Sequence, residues 1–269
     1  MTYGDLDRPP LDAAALRAAL VGPGSLWTDV VVTPSTMSTN ADLAAAAVAG
    51  APEGSIHTTD HQIAGRGRMD RTWEAPAGSG LAVSILLRPT SVPAARWVWL
   101  PLLAGLAVDA TVNGLGVDAG LKWPNDVLVG DRKIAGILIE RVDTPSGPAA
   151  VVGVGLNVSL RADELPVDTA TSLALEGATE TDRTIVLRSL LRNIESLYVS
   201  WLASEGDPAA GIRESYVRRC ATIGQRVRVT LPDSSVIEGE VAGLDDLGRL
   251  VVDNQSISAG DVAHVRPIT

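Results

Sequence analysis

The stretch 121–143 reads LKWPNDVLVGDRKIAGILIERVD, and the stretch 150–160 reads AVVGVGLNVSL. Together they hold three apolar runs, rich in Val, Ile and Leu and separated by turn residues, as is typical of strands. The same character appears earlier in the chain, in VVVTPS (30–35), GSIHTTDHQ (54–62) and LAVSILLRP (81–89). These runs are interspersed with helical patterns, so the sequence predicts an α+β domain.

Apolar residues at helical spacing predict the remaining elements. The clearest helix covers 183–205, where one stripe is formed by Leu187, Leu190, Leu191, Ile194, Leu197, Tyr198, Trp201 and Leu202. Other helices are predicted over 11–20, 95–116 and 208–220. The helix over 95–116 is expected to be buried, with Trp97 and Trp99 in the core.

A further helix is expected where the sequence Thr39-Asn40-Ala41-Asp42 precedes an alanine-rich run. Thr39 is a candidate N-cap, Asp42 is its capping-box partner, and Gly50 is the expected stop. The following segment AGRGRMDRTW is predicted to be a loop.

The character of the chain changes after about residue 222, where short strand-like runs such as QRVRVTL and RLVVD alternate with turns. This pattern predicts a small all-β barrel appended to the α+β domain, with a linker near Cys220 to Gly224. The expected division is an N-terminal helical segment over 1–29, the main domain over 30–221 and the barrel over 222–269.

Composition argues against several classes of protein. With 269 residues, 46% of them hydrophobic and 20% charged, the chain has the balance of a globular protein. A net charge of −10 argues against a protein that wraps nucleic acid. Cys220 is the only cysteine, which excludes an internal disulfide and indicates a reducing compartment. The N-terminus shows no secretory signal and no apolar stretch is long enough to span a bilayer, so we expect a cytoplasmic location without membrane association.

The segment GRGRMDRTW (65–73) places Arg66, Arg68 and Arg71 within six residues of an acidic chain. Arginines donate charge-assisted hydrogen bonds to phosphates, glycines let a backbone approach a ligand, and Trp73 could stack on a base. The segment therefore suits a polyphosphate. A solvated turn with scattered charges, or a fragment of an RNA-binding Arg-Gly repeat, remain alternatives at this stage.

The segment KWPNDVLVGDRK (122–133) holds Lys122 and Lys133, the two lysines of the chain. A turn at Pro124-Asn125-Asp126 would bring Lys122, Asn125 and Asp126 together, with Lys133 returning on the next strand. A compact cation of this kind suits a carboxylate or an α-phosphate. The alternative is a β-hairpin whose turn simply needs Asn and Asp.

Two shorter segments are weaker signals. GVGLN (153–157) has two glycines in a strand, which indicates either the close approach of a flat ligand or a β-bulge. STN (38–40) offers hydroxyls and an amide where a helix begins, and a simple N-cap is the alternative. His57, His61 and His264 show no metal-ligand spacing, so the metal ligands stay undefined.

Taken in order, the motifs STN, Q-x-A-GRGR-x-x-R-x-W, KWPND, K-x-AGIL-x-E and GxGxN resemble those of the biotin–protein ligases. The resemblance covers the chain from about residue 35 to its C-terminus. It implies a mixed-sheet catalytic domain of the biotin/lipoate ligase type, followed by a small SH3-like β-barrel. It also implies the activity: biotin and ATP form biotinoyl-5′-AMP and pyrophosphate, with Mg²⁺ on the nucleotide. Biotin then passes to one lysine of a biotin carboxyl carrier domain.

The resemblance carries specific roles to matching positions. It implies biotin binding by Ser38, Thr39, Asn40, Gln62, Gly65, Arg66, Gly67, Arg68, Lys133, Gly136, Gly153 and Gly155. It implies ATP binding by Arg68, Arg71, Trp73, Asn125 and Asn157, and catalytic roles for Lys133, Arg66, Lys122 and Asp126. The loop 65–73 is expected to be poorly ordered in an empty site and to close over the ligands.

Two departures from the family pattern shape the remaining expectations. Asp70 lies between phosphate-binding arginines, where some relatives have glycine. Only 37 residues precede STN, too few for the N-terminal winged helix of the members that repress transcription, so we expect a single-function ligase without DNA binding. Its partner is expected to be a carrier domain of a biotin-dependent carboxylase, and the chain a monomer or weak homodimer. Alternatives are a lipoate–protein ligase or octanoyltransferase of the same fold, a non-catalytic biotin sensor, or an interaction module built on the barrel.

Overall fold

A computed structural model of the protein describes residues 8–69 and 71–264. Its main sheet contains seven strands, numbered in chain order: β1 (Asp29–Thr33), β2 (Ser55–Thr59), β5 (Gly80–Leu87), β6 (Gly120–Lys122), β7 (Asp126–Val129), β8 (Arg132–Thr144) and β9 (Gly147–Asn157). Their spatial order is β1-β2-β5-β9-β8-β7-β6. Only β1 and β2 pair in parallel and the other pairs are antiparallel, so the sheet is mixed, as the resemblance implies.

The ends of the segment GRGRMDRTW are not a loop. Gly65 pairs with Trp73 and Arg66 with Thr72 in a short antiparallel hairpin, formed by β3 (Gly65–Arg66) and β4 (Thr72–Trp73). The prediction of a loop is therefore wrong at both ends of this segment, because the glycines permit the close backbone approach that pairs the two ends. Asp70 lies outside the described residues.

The described part of the chain has five α-helices beside the sheet: α1 (Ala13–Leu20), α2 (Thr39–Val48), α3 (Leu100–Gly114), α4 (Arg183–Ala203) and α5 (Ile212–Arg219). Helix α4 buries most of its predicted stripe, because that stripe packs against α3 and α1. The helix expected over 208–220 is split: a 3₁₀ turn at Pro208–Ala210 is followed by Gly211 at φ +118°, and α5 begins after it.

Helix α3 is the most apolar of the helices in residues 8–69 and 71–264. With the preceding 3₁₀ turn it forms the segment Ala94–Gly114, whose length and mean hydropathy of 1.2 would suit a membrane span. However, 67% of that segment is buried inside the fold, and its α-helical part has 15 residues, fewer than a bilayer requires. It is therefore the core helix of this domain. Trp99 is fully buried and Trp97 packs against the core, which confirms their predicted place.

Helix α2 begins one residue earlier than predicted. Ser38 is its N-cap: its backbone is extended and its hydroxyl accepts the Ala41 N–H. Thr39 is instead the first helical residue, so the predicted Thr39–Asp42 capping box is wrong; the Asp42 carboxylate accepts the Thr36 hydroxyl instead. Gly50 is the predicted stop and adopts φ +100°, a conformation that glycine allows without strain.

The C-terminal strands form a separate five-stranded antiparallel sheet: β10 (Arg226–Thr230), β11 (Val236–Leu244), β12 (Leu250–Val252), β13 (Gln255–Ile257) and β14 (Asp261–His264). A register shift in β11 and short strands curve the sheet into the predicted small SH3-like barrel.

The barrel is docked tightly on the main domain. The indole N–H of Trp99 donates to the Asp246 carbonyl and that of Trp123 to the Gly248 carbonyl, each at 3.0 Å. The junction near Cys220 is packed as well, because Cys220 is buried and the Ala221 N–H donates to the Leu121 carbonyl at 2.8 Å. The predicted linker is thus a fixed junction.

Candidate active site

One cleft brings most of the predicted functional residues together. It encloses about 920 Å³ of space, counting the part that is open to solvent. It lies between the start of α2, the β3–β4 hairpin, the β6–β7 turn, the central strands and the first residues of β14. Its lining includes Ser38, Thr39, Asn40, Gln62, Arg66, Gly67, Arg68, Arg71, Trp73, Lys122, Asn125, Asp126, Lys133, Gly136, Gly153 and Gly155.

The start of α2 supplies buried, uncharged polar groups. Gln62 Oε1 accepts both the backbone N–H and the hydroxyl of Thr39, at 3.0 and 3.1 Å. The Thr39 hydroxyl is 2.8 Å from the Ser84 hydroxyl, which in turn is 2.6 Å from Asn40 Oδ1. The STN segment therefore does more than cap helix α2. Ser38 is the cap, and the side chains of Thr39 and Asn40 join a polar network that faces the cleft.

Ser84 belongs to this polar network, and no motif of the sequence singles it out. It is fully buried in β5, in the middle of the apolar run LAVSILL. A lone hydroxyl in such a run must find a hydrogen-bond partner, because an unpaired buried hydroxyl is costly. That isolated serine was the signal that could have marked it.

The three arginines of the β3–β4 hairpin each reach a different element. Arg66 Nη2 donates to Glu140 on β8, at 3.0 Å from Oε1. Arg68 Nη1 donates to Asn125 Oδ1 at 3.3 Å, and Arg71 forms an ion pair of 2.6 Å with Asp261 on β14. The hairpin is thus held by side chains from both domains, and a solvated turn with scattered charges does not describe it.

Burial lowers the pKa of Arg68, and the carboxylates of Asp126 and Asp261 oppose that shift. Arg68 is therefore the arginine of the hairpin that is desolvated and surrounded by opposite charge. A cation in this position attracts an incoming anion more strongly than one in bulk water, because solvent screens it less.

The lysine segment forms a charged group on one hairpin. Lys122 pairs with Asp126 across the β6–β7 register, and Asp126 pairs with Gly136 on β8. Lys133 Nζ is 2.6 Å from Asp126 Oδ1 and 5.6 Å from the centroid of the Trp73 ring. The turn thus brings the predicted lysines and Asp126 together, as the sequence indicates. Trp73 and Asp126 hold the Lys133 cation at the cleft wall.

The glycines of the sheet leave room for side chains of the chain itself. A Cβ atom at Gly155 would lie 2.4 Å from Trp73 Cε2, and one at Gly153 would lie 2.3 Å from Asn40 Oδ1. At Gly136 the nearest atoms are Lys133 Cε and Nζ, each at 3.1 Å. The register of β9 with both neighbours continues through 153–155, so the alternative of a β-bulge there is wrong.

Two predicted residues do not line the cleft. Asn157 is buried at the end of β9, and its Nδ2 donates to the Thr171 carbonyl at 2.8 Å. Gly65 is covered: a Cβ there would lie 2.3 Å from the Trp73 carbonyl oxygen and 2.5 Å from Gln62 Nε2. Both residues shape the cleft from behind its lining.

Comparison with known proteins agrees with this geometry. Residues 31–157 match the family model described as the Biotin/lipoate A/B protein ligase family, and residues 222–265 match the Biotin protein ligase C terminal domain. Biotin protein ligase from Aquifex aeolicus in complex with biotin and ATP has a TM-score of 0.74 with this chain at 25% identity, covering 89% of this chain and 100% of that one. Fold and site thus define a protein of the biotin/lipoate ligase class.

Curated relatives narrow this class. The biotin–[acetyl-CoA-carboxylase] ligase of Mycobacterium tuberculosis is 43% identical over 275 residues, which cover 99% of this chain and 100% of that protein. The bifunctional ligase/repressor BirA of Bacillus subtilis is 32% identical over 243 residues, 88% of this chain and 72% of that protein. The chain therefore belongs to the biotin protein ligase family, as its motifs indicate.

Proposed function

We propose that this protein activates biotin with ATP to biotinoyl-5′-AMP and pyrophosphate, and then transfers biotin to a specific lysine of a biotin carboxyl carrier domain. The observation that carries the proposal is the cleft whose lining combines the neutral polar groups at the start of α2 with the cations Arg66, Arg68 and Lys133. The ureido ring of biotin is neutral and its carboxylate is anionic, so the two kinds of group in the cleft match the two ends of the substrate.

The charged end suits the first half-reaction. The carboxylate of biotin attacks the α-phosphate of ATP, so two anions must approach each other, and cations held in place lower the cost of that approach. We propose that Lys133, whose Nζ lies 2.6 Å from Asp126 Oδ1, contacts the biotin carboxylate and the α-phosphate. Arg68 and Arg71 would bind the remaining phosphates. Neither half-reaction needs a covalent bond to the enzyme, so positioning and electrostatics are sufficient.

Mg²⁺ is expected to enter with the nucleotide as MgATP. Within residues 8–69 and 71–264, no group of three or more His, Cys, Asp or Glu side chains is placed to hold a metal ion. No resident metal site is assigned among these residues, and Mg²⁺ would be held mainly by the phosphates of the nucleotide. The proposed chemistry of the chain rests on its own cations.

The β3–β4 hairpin is proposed to shield the intermediate from water. Biotinoyl-5′-AMP is a mixed anhydride and hydrolyses if solvent reaches it. Arg66 and Arg71 attach the hairpin to β8 and β14, so closure would involve both domains. We expect biotin and MgATP together to protect residues 65–73 from proteolysis, as measured by limited digestion and mass spectrometry. Unchanged digestion would count against a closing loop.

The accessory proposals follow from the same fold. We infer a catalytic unit over 30–221 with the barrel over 222–269 closing the cleft, and a segment 1–29 whose helix α1 packs on β1 and α4. With residues 8–37 engaged in this way and a net charge of −10, we propose that the protein acts in the cytoplasm without binding DNA. We also infer a monomer or weak homodimer. Gel mobility shift and sedimentation measurements test the last two points.

The decisive experiment mixes the purified protein with biotin, MgATP and an apo carrier domain and measures the intact mass of the carrier. We expect the mass of the carrier to rise by one biotinoyl group, and we expect Lys133→Ala to abolish this gain. Arg132→Ala is the control and should retain the gain, because the Arg132 side chain forms its ion pair with Glu176. A gain with lipoate or octanoate on a lipoyl domain instead would assign the protein to lipoate chemistry. Tight biotin binding with no transfer would indicate a sensor.

A further inference from the structure

Glu140 is the acid of the K-x-AGIL-x-E motif, and the family resemblance carries no individual role to it. It lies on β8, two and four residues beyond Leu138 and Gly136, so all three share one face of the strand. Its carboxylate accepts hydrogen bonds from two side chains. Oε2 accepts the Asn40 amide at 2.7 Å, and Arg66 Nη2 donates to Oε1 and Oε2 at 3.0 and 3.1 Å.

This carboxylate completes a continuous chain of polar contacts from the neutral end of the cleft to the hairpin. The chain runs through Gln62, Thr39, Ser84, Asn40, Glu140 and Arg66. Asn40 is buried, and its Oδ1 accepts the Ser84 hydroxyl, so its Nδ2 must donate elsewhere. Glu140 is the acceptor closest to that amide. Glu140 thus joins Asn40, at the start of α2, to Arg66 of the hairpin.

The contact between Arg66 and Glu140 is too exposed to be mainly a stabilising feature. The Arg66 side chain is 52% exposed and that of Glu140 is 31% exposed, and ion pairs of this kind contribute little to folding. The contact does, however, fix the direction of the guanidinium. Both hydrogen bonds use Nη2, so neither engages Nε or Nη1, and these donors can serve a bound anion.

We propose that Glu140 is a positioning residue that holds Arg66, and with it the β3–β4 hairpin, over the bound biotinoyl-5′-AMP. Through Asn40 it links occupation of the neutral end of the cleft to closure of the hairpin. This inference rests on the proposed function, because it assumes that Arg66 faces an anionic intermediate. It predicts that loss of the Glu140 charge lets the intermediate escape before transfer.

The test compares AMP formed with biotin transferred, at saturating biotin and MgATP with limiting apo carrier domain. Glu140→Gln keeps an oxygen for the Asn40 amide and removes the charge that holds Arg66. We expect the ratio of AMP to transferred biotin to rise about three- to tenfold, the range for one charge-assisted hydrogen bond that is partly exposed. Free biotinoyl-5′-AMP should appear in the filtrate, while the midpoint of thermal unfolding stays near that of the wild type.

Three further variants make the outcome specific. Asp143→Asn removes an exposed acid from the same strand, which pairs only with Arg141 among its described contacts, and should leave the ratio unchanged. Arg66→Ala should raise the ratio as Glu140→Gln does. Combining Arg66→Ala with Glu140→Gln should raise it no further, because both changes break the same contact. Glu140→Ala should weaken biotin binding as well, since it removes the acceptor of the Asn40 amide.

A ratio for Glu140→Gln equal to that of the wild type, in a protein that still biotinylates the carrier, overturns the positioning role and leaves the proposed function intact. Additive effects of Glu140→Gln and Arg66→Ala overturn it as well, because they show that the two residues act separately. Absence of biotinylation by the wild type overturns the proposed function first and the positioning role with it. The experiment thus separates the two failures.

Discussion

The cleft has two halves that are built differently. The neutral half consists of Ser38, Thr39, Asn40, Gln62 and Ser84, and most of these side chains are buried and joined by hydrogen bonds. The charged half consists of Arg66, Arg68, Arg71, Asp126 and Lys133, where exposure reaches 52% for Arg66, 56% for Arg71 and 34% for Lys133. Buried neutral groups discriminate by shape and hydrogen bonding, because an unmatched ligand leaves them unpaired. Exposed charges attract anions, and solvent or salt screens them.

The first prediction separates chemistry from binding. Asp126→Asn removes the carboxylate that holds Lys133 at 2.6 Å, so adenylate formation should slow about 100-fold, as for loss of one electrostatic group at a reacting centre. The dissociation constant of biotin should change less than about threefold, because the neutral half is intact. Pyrophosphate release measures the rate and calorimetry measures the affinity. A loss of biotin affinity as large as the loss of rate would show that binding and chemistry are not separated between the two halves of the cleft.

The second prediction addresses the neutral half. Ser84→Ala deprives Asn40 Oδ1 of its donor at 2.6 Å, a loss of about 1–2 kcal/mol, so the dissociation constant of biotin should rise about five- to thirtyfold. The KM for ATP should stay unchanged. Ser146→Ala, in an exposed turn, serves as the control variant. A rise in the KM for ATP of the same size would contradict the separation of the two halves.

The third prediction uses salt. Raising the salt concentration from about 50 to about 500 mM shortens the screening length and should raise the KM for ATP several-fold. The KM for biotin should change less, since biotin brings only one carboxylate to the charged half while its ureido ring meets buried, uncharged groups. Steady-state kinetics at matched ionic strengths with two different salts measures the effect. A rise in the KM for biotin as large as that for ATP would mean that biotin depends on the exposed charges as strongly as ATP does.

The smallest effect is expected at the barrel. Asp261→Asn breaks the exposed pair with Arg71, which should change the free energy of unfolding by about 1 kcal/mol or less. It also frees Arg71 and removes a negative charge from the cleft. The KM for ATP should therefore fall about two- to threefold, in keeping with the weak screened pair. An increase would show that Asp261 assists the nucleotide instead of competing for Arg71.

Local sequence was a good guide where neighbours along the chain decide the structure. The stripe of α4, the stop at Gly50 and the turn that gathers Lys122, Asn125 and Asp126 all depend on residues a few positions apart. The N-cap of α2 was misplaced by one residue because Ser38 and Thr39 are chemically equivalent as caps. Gln62 decides which of the two is the N-cap, because its Oε1 accepts hydrogen bonds from the backbone N–H and the hydroxyl of Thr39.

Most of the missing site residues have partners far away in the chain. Ser84, Glu140 and Asp261 contact Asn40, Arg66 and Arg71, and no motif rule joins such pairs. Asn157 fits its motif, yet its side chain turns to the Thr171 carbonyl instead of the cleft. A motif predicts where a residue lies along the chain. The direction in which its side chain points depends on the residues that pack against the strand.

By itself the sequence determined the class of protein, through the resemblance of its ordered motifs to a known family. It also determined the order of the functional segments and the types of group that the cleft offers, because these follow one another along the chain. Only the tertiary structure decided which side chain holds each arginine of the hairpin and which side chain covers each glycine. The physical reason is the strand order β2-β5-β9-β8, which places β8 against the start of α2 and lets Glu140 reach both Asn40 and Arg66. Such partners are chosen by distance in space, and no periodicity along the chain encodes that distance.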